Sequence, residues 1–131
     1  MTTLFEKLSM KFPEKEDDVK LLKYYFLEAI RQFEEGSYEM AFLTAYKIIR
    51  EQTVVNPKDY ISDKREGKPS SFSEIRTILV HLKREHTKIS PKQIAETRKK
   101  LPEYTLEIIQ RAATFIEKLA FDKTADDTKQ K

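Results

Sequence analysis

The sequence contains no cysteine and only two glycines, and these absences exclude several classes of protein. Without cysteine the chain cannot form a disulfide framework, a thiolate zinc site, an iron–sulfur cluster or a thiol nucleophile. Gly36 and Gly67 are too few and too far apart for a glycine-rich phosphate loop. No set of histidines and carboxylates has the spacing of metal ligands, so we expect neither a metal nor a cofactor.

Long apolar runs are also missing, because none approaches the roughly 20 residues that a membrane-spanning helix needs. Residues 1–12 lack the continuous apolar stretch of a signal peptide, so we expect a cytoplasmic protein with no membrane partner. A length of 131 residues with 39% hydrophobic residues suits one compact domain. We therefore predict a single helical domain over 1–121, followed by a disordered polar tail over 122–131.

Positive charge is concentrated in one part of the chain, although the formal net charge is only +3. Residues 76–100 contain eight Lys or Arg and two Asp or Glu, together with both histidines. A local basic field of this kind favours a polyanionic partner, and above all a nucleic acid. A solvated helical face explains the same charges equally well, so composition alone does not decide between the two.

Apolar residues recur at three- and four-residue steps in several segments, which is typical of amphipathic helices. The first predicted helix runs from Asp17 to Glu35, and Gly36 supplies a left-handed residue that ends it. Ser37 then starts a second helix that returns antiparallel and fades near Val54. Small residues on the second helix allow close packing against the first. They are Ala41 and Ala45.

The second half of the chain begins with an irregular segment at 57–71, which we predict to be an exposed loop or a mobile flap. Ser71 with Glu74, and Ser90 with Pro91 and Gln93, are helix-start signals. The helix after Ser90 reaches Lys100, and Pro102 restarts it as far as Phe121. Since no segment alternates strictly, we predict an all-α fold, an up-down bundle of four to five helices without a sheet.

Arg76 and His81 are the residues best suited to chemistry. A guanidinium holds phosphate through a two-pronged fork, and an imidazole near its ordinary pKa can move a proton. His81 falls about 240° from Ile75 on a helical projection, at the margin of the apolar face, whereas His86 falls near its centre. A histidine at such a margin is more often a surface residue than a catalyst, and this alternative stays open.

The stretch Arg76-Thr77-Ile78-Leu79-Val80-His81 resembles the motif of the HEPN superfamily (higher eukaryotes and prokaryotes nucleotide-binding domain), an Arg followed by four to six residues and a His. The helical pair around Gly36 and the Ser90-Pro91 and Leu101-Pro102 helix starts are similar to other parts of that fold. The resemblance covers roughly 17–120. It implies a small helical bundle that forms a homodimer, in which the helices carrying Arg76 and His81 pair across a cleft.

For function, the resemblance implies a metal-independent endoribonuclease of a toxin or antiviral defence system. His81 would assist proton transfer as the RNA 2′-hydroxyl attacks the adjacent phosphate, and Arg76 would stabilise charge on the phosphate oxygens. Nearby basic residues are predicted to contact the RNA backbone, although solvated side chains are the alternative for those on the loop. These residues are Lys83, Arg84, Lys88, Lys64 and Arg65.

Two further functions are compatible with the same residues. One is a catalytically silent HEPN dimer that binds RNA or a protein partner, such as an antitoxin. The other is a small helical subunit of a ribonucleoprotein complex, in which residues 76–100 would form the RNA surface. Salt-sensitive RNA binding that survives His81→Ala would favour either of them over the nuclease.

Overall fold

The computed structural model describes residues 2–56, 61–80 and 90–121, and this part of the chain contains six α-helices. It has no β-strand, only an isolated bridge between Lys64 and Ser71, so the predicted all-α fold is confirmed. A 3₁₀ turn at Pro13–Lys15 lies between the first two helices. The helices are α1 (Thr2–Lys11), α2 (Glu16–Glu34), α3 (Tyr38–Glu51), α4 (Phe72–Val80), α5 (Pro91–Lys99) and α6 (Leu101–Phe121).

Helix α1 is the element that the sequence analysis did not anticipate, and it raises the count above the predicted four to five. Its apolar residues Phe5 and Leu8 are buried, as is Phe12 just beyond its end. These three residues follow one another at three- and four-residue steps, so the helical signal was present in a short segment. The helix packs against α2 and α6 and closes one side of the core.

Helices α2 and α3 form the predicted antiparallel hairpin. Gly36 has a φ of +83°, the left-handed conformation that ends α2, and Ser37 occupies the position before α3. The hydroxyl of Ser37 makes no capping hydrogen bond. Ala29 on α2 and Ala41 and Ala45 on α3 are fully buried, consistent with small side chains that let the two backbones approach closely.

Helix α6 runs through the centre of the bundle and packs against α1, α2 and α3. The start of α6 lies beside the start of α3, because Thr105 Oγ1 donates a 3.1 Å hydrogen bond to the carbonyl of Tyr38. Arg98, at the end of α5, forms a 2.7 Å ion pair with Glu39 at the same end of the bundle. None of the described helices is long and apolar enough to cross a membrane.

Two serines start α4 and α5 as their sequence patterns predict. Ser71 Oγ accepts a 3.1 Å hydrogen bond from the backbone N–H of Glu74, and Ser90 Oγ accepts one of the same length from Gln93. Such caps satisfy backbone donors that have no partner within the helix. The described part of α4 ends at Val80. The predicted continuation to Leu82 and the predicted tail at 122–131 lie outside the described residues.

Residues 61–71 of the predicted loop are irregular and largely exposed, and contacts hold them against the bundle; residues 57–60 lie outside the described residues. Pro69 is buried, and Arg111 on α6 donates a 2.5 Å hydrogen bond to the carbonyl of Ser62. The guanidinium of Arg65 contacts both oxygens of Glu107 at 2.9–3.2 Å and lies over the ring of Tyr104. Contacts with α6 therefore fix the loop that leads into α4.

Candidate nucleic-acid interface

Arg76 projects from the outer face of α4. Phe72, Ile75 and Leu79 occupy the inner face and are buried, which leaves position 76 exposed to solvent. The guanidinium carbon of Arg76 lies 5.7 Å from the centre of the Tyr46 ring on α3. The ring attracts the cation while the hydrogen-bond donors of the guanidinium stay available for a ligand.

Tyr46 is itself held by a small polar network between α3, α4 and the preceding loop. The Tyr46 hydroxyl and Ser73 Oγ are 3.0 Å apart, and Ser73 Oγ donates a hydrogen bond to a carboxylate oxygen of Asp63. The backbone N–H of Phe72 donates a 2.7 Å hydrogen bond to the carbonyl of Asp63. This network fixes the aromatic ring against which Arg76 rests.

Arg76 has no ion-pair partner among the described residues, unlike three other arginines. Arg31 pairs with Glu28 and Glu35, Arg65 with Glu107, and Arg98 with Glu39. A guanidinium that is exposed and unpaired can accept a phosphate without first losing a carboxylate. Thr77 beside it is also exposed, and its hydroxyl donates a 3.0 Å hydrogen bond to the carbonyl of Ser73.

Most of the other predicted site residues lie outside the described part of the chain. His81, the predicted proton-transfer residue, falls there. So do the predicted RNA contacts Lys83, Arg84 and Lys88. The roles of these four residues therefore stay predictions.

The two predicted RNA contacts on the loop have different surroundings. Lys64 is exposed. The side chain of Arg65 is only 10% exposed, and its guanidinium also donates a 2.5 Å hydrogen bond to the carbonyl of Pro69. Since its donors are engaged by groups of the same chain, Arg65 holds the loop and is not the solvated side chain considered from the sequence. Arg65 lies over the ring of Tyr104 on α6, whereas Arg76 lies beside Tyr46 on α3.

Helix α5 adds exposed positive charge beside α4, against which it packs. Lys92, Lys99 and Lys100 are exposed, and no ion pair with a described residue neutralises them. Lys92 and Lys99 are seven residues apart, so they lie on the same face of this short helix. The described part of the basic window 76–100 therefore has its cations at the surface.

A cleft of about 230 Å³ lies between the loop and helices α4, α5 and α6, and no sequence pattern predicts it. Its lining includes two lysines and two glutamates, Lys68 and Lys100 with Glu74 and Glu96. The mixed signs give no single-sign field for a phosphate backbone, so the cleft suits RNA less well than the surface around Arg76. Across the described residues, no group of three or more His, Asp or Glu side chains could hold a metal ion.

The exposed guanidinium of Arg76 is chemically suited to hold a phosphate. Proton transfer at the same place would need a further group, and His81 is the sequence-predicted one. Searches of family models, curated proteins and solved structures returned no match for this chain.

Proposed function

We propose that this protein is a HEPN-type endoribonuclease that cleaves RNA without a metal ion. The proposal combines the resemblance of residues 76–81 to the HEPN motif with the surroundings of Arg76. The observation that carries it is the exposed guanidinium of Arg76, which rests on the Tyr46 ring and has no described carboxylate partner. A role in a toxin or defence system follows from the family resemblance alone.

In the proposed reaction, the 2′-oxygen of a ribose forms a bond to the adjacent phosphorus, and the bond from phosphorus to the 5′-oxygen breaks. His81 assists the transfer of the proton from the attacking hydroxyl, and the leaving 5′-oxygen takes up a proton. Arg76 donates hydrogen bonds to the phosphate oxygens, on which negative charge builds up in the transition state. The products are a 2′,3′-cyclic phosphate and a 5′-hydroxyl.

The nucleophile in this scheme belongs to the RNA, so the protein needs no cysteine and no activated serine. DNA lacks the 2′-hydroxyl and is expected to resist cleavage. The proposal includes a homodimer in which the helices that carry Arg76 and His81 pair, so that one cleft contains these residues from both chains. Positions 76 and 81 point about 140° apart on one helix. A site formed by both chains would allow Arg76 of one chain to act with His81 of the other.

The test is cleavage of structured and single-stranded RNA in EDTA by the wild type and by Arg76→Ala, His81→Ala and the double variant. Arg76→Lys retains the charge and loses the two-pronged fork, so it separates phosphate geometry from electrostatic attraction. Lys118→Ala is a matched control, since it removes one exposed positive charge near the far end of α6. Circular dichroism and thermal melts establish that every variant is folded.

We expect cleavage by the wild type and Lys118→Ala, with cyclic-phosphate ends, and a loss of roughly 100-fold to 1,000-fold in Arg76→Ala. His81→Ala is expected to lose at least as much, because proton transfer contributes about 100-fold or more. Equal cleavage by the wild type and the double variant would identify a contaminating nuclease and contradict the proposal. Absence of cleavage, with RNA binding retained, would support the second function below.

The second candidate function is RNA binding without cleavage, either as a silent HEPN dimer or as a subunit of a ribonucleoprotein complex. Three exposed lysines favour it, Lys92 and Lys99 on α5 and Lys100 directly after its end. Each phosphate contact makes binding fall with added salt, so a variant with all three lysines replaced by Gln should show a shallower salt dependence. Binding that weakens in this variant but not in His81→Ala would identify the binding function.

A further inference from the structure

Helix α2 presents an apolar stripe that no described element covers. Leu21 is 49% exposed, Tyr24 58% and Leu27 42%, although each is a large apolar or aromatic side chain. At about 100° per residue, Leu21 and Leu27 lie roughly 60° to either side of Tyr24, so the three share one outer face of the helix. The opposite face of α2 is buried against α3 and α6 through Val19, Leu22, Phe26 and Ala29.

Charged residues on the same outer face have a regular arrangement around Tyr24. Lys20 precedes Tyr24 by four residues and Glu28 follows it by four, while Asp17 precedes it by seven and Arg31 follows it by seven. All four lie within about 40° of the direction of Tyr24 on the helix. Positions at equal distances from Tyr24 therefore carry opposite charges, and the positions three residues away are both leucine.

We propose that this face of α2 binds the α2 helix of a second copy of the chain, antiparallel, with the two-fold axis at Tyr24. Under such an axis a residue before Tyr24 faces the residue equally far after it in the other copy. Lys20 then lies level with the partner subunit's Glu28, and Asp17 lies level with the partner subunit's Arg31. Leu21 and Leu27 flank these contacts on opposite sides of the interface. The aromatic rings of the two Tyr24 residues meet at the centre.

The charge pattern also selects the direction of pairing. In a parallel pair each residue would face its own copy, which would place Lys20 against lysine and Glu28 against glutamate. Such like-charge contacts destabilise an interface, whereas the antiparallel register turns the same charges into four complementary pairs. Arg31 pairs with Glu28 and Glu35 within its own chain, so association exchanges these contacts for the ones across the axis. With that exchange, the acidic and basic residues on this face match the pattern of a self-complementary surface.

The centre of the proposed interface is held in place within each chain. The ring of Tyr24 packs edge-on against Tyr25 with 5.6 Å between ring centres, and Lys47 on α3 lies 5.4 Å from the centre of the Tyr25 ring. Lys20 pairs with Glu16 at 3.7 Å within its own helix, and this pair is exposed. Exposed pairs of this kind contribute little to stability, so Lys20 can turn toward a partner at small cost.

This interface is independent of the nuclease proposal, because α2 packs mainly on α3 whereas Arg76 lies on α4, next to α5. One helix from each chain buries less than the roughly 800 Å² per partner of a standard interface. We therefore expect association that depends on protein concentration. Its success or failure leaves the predicted cleavage by Arg76 and His81 untouched.

A cysteine scan tests the register directly, since the chain has no native cysteine. Tyr24→Cys places two thiols at the two-fold axis, and mild oxidation is expected to yield a disulfide-linked dimer. Leu27→Cys is the matched control on the same face, because its two copies would be separated by about 9 Å along the helix axis.

A charge exchange tests the same contact without oxidation. Lys20→Glu should lower the association constant, measured by sedimentation equilibrium, about tenfold or more, since it places two glutamates opposite each other. Adding Glu28→Lys to that variant should restore association, because positions 20 and 28 of the two copies then carry opposite charges again. Thermal melts of each variant establish that it is folded. Equal cross-linking of Tyr24→Cys and Leu27→Cys, or no recovery in the double variant, would overturn the proposed register.

Discussion

Arg65 and Arg76 are eleven residues apart in the chain, yet their guanidinium groups have opposite surroundings. The side chain of Arg65 is 10% exposed and is bound by Glu107, the carbonyl of Pro69 and the ring of Tyr104. Arg76 is exposed, lies beside the ring of Tyr46, and has no ion-pair partner among the described residues. One arginine therefore stabilises the fold, and the other is available to an external anion.

A cluster of basic residues in a sequence therefore does not identify a binding surface by itself. A basic side chain is available to an external anion only if no carboxylate of the same chain forms an ion pair with it. Glu107 lies 42 residues after Arg65 and meets it only because the loop folds onto α6. No described carboxylate approaches Arg76 in this way.

The largest expected effect is on RNA cleavage in Arg76→Ala. Loss of its hydrogen bonds to the phosphate should reduce the rate about 100-fold or more, because the charge on the transition state is then unsupported. Its unfolding free energy should change by less than about 1 kcal/mol, since the residue is exposed and makes one ring contact. Single-turnover cleavage and urea unfolding measure the two quantities. A large loss of stability with unchanged cleavage would reverse the roles assigned to the two arginines.

The complementary change, Arg65→Ala, should affect stability and leave the RNA site unchanged. It removes a largely buried cation and leaves the Glu107 carboxylate and the carbonyl of Pro69 without this partner, which should cost about 2 kcal/mol. Arg65→Lys should recover part of this loss, because one ammonium group cannot reproduce the two-pronged contact. Urea unfolding is the measurement. An unfolding free energy equal to that of the wild type would contradict the anchoring role.

A smaller effect is expected at Tyr46, whose ring supports Arg76. Tyr46→Phe keeps the ring and loses the hydrogen bond to Ser73, so it should destabilise the fold by about 1 kcal/mol and leave cleavage almost unchanged. Tyr46→Leu also removes the ring and should slow cleavage about threefold to fivefold, the value of a cation–π contact at an exposed site. If both variants cleaved RNA at the same rate, the ring would have no part in positioning Arg76.

Arg31 is intermediate between Arg65 and Arg76, because it is exposed but has carboxylate partners. The smallest expected effect, on the unfolding free energy, concerns its pair with Glu28. Its hydrogen bond to Glu28 holds the pKa of that carboxyl below its ordinary value. A lowered folded-state pKa stabilises the fold above the unfolded pKa, and this contribution disappears as the pH falls through the folded pKa. The small difference in unfolding free energy between the wild type and Glu28→Gln should therefore shrink from about pH 5 toward pH 3. A difference that grows over this range would contradict the assignment.

Much of the fold follows from local patterns in the sequence. The repeat of apolar residues marks the helices, and Gly36, Ser71 and Ser90 mark three of their boundaries through backbone chemistry that depends on few neighbours. Helix α1 was missed because its apolar signal is short, although Phe5 and Leu8 are buried. The anchoring of the loop at 61–71 could not be predicted, since it depends on contacts with α6.

The candidate site could be predicted only in part. The residue types and the 76–81 spacing identify Arg76, and the exposed face of α4 follows from the buried positions at 75 and 79. The support by Tyr46 and the difference between Arg65 and Arg76 depend on which helices pack together. The helical pattern predicts which face is apolar, but it does not predict which distant side chain will lie beside a given cation.

The most direct test of this account is an NMR titration that observes the Nε–H groups of Arg65 and Arg76 while a short, uncleavable RNA is added. The variants Arg65→Ala and Arg76→Ala assign the two signals by removing one each. We predict that the Arg76 signal shifts progressively with RNA while the Arg65 signal, bound to Glu107, stays in place. A shift of Arg65 with no change at Arg76 would contradict the central claim that Arg76 is the arginine available to RNA.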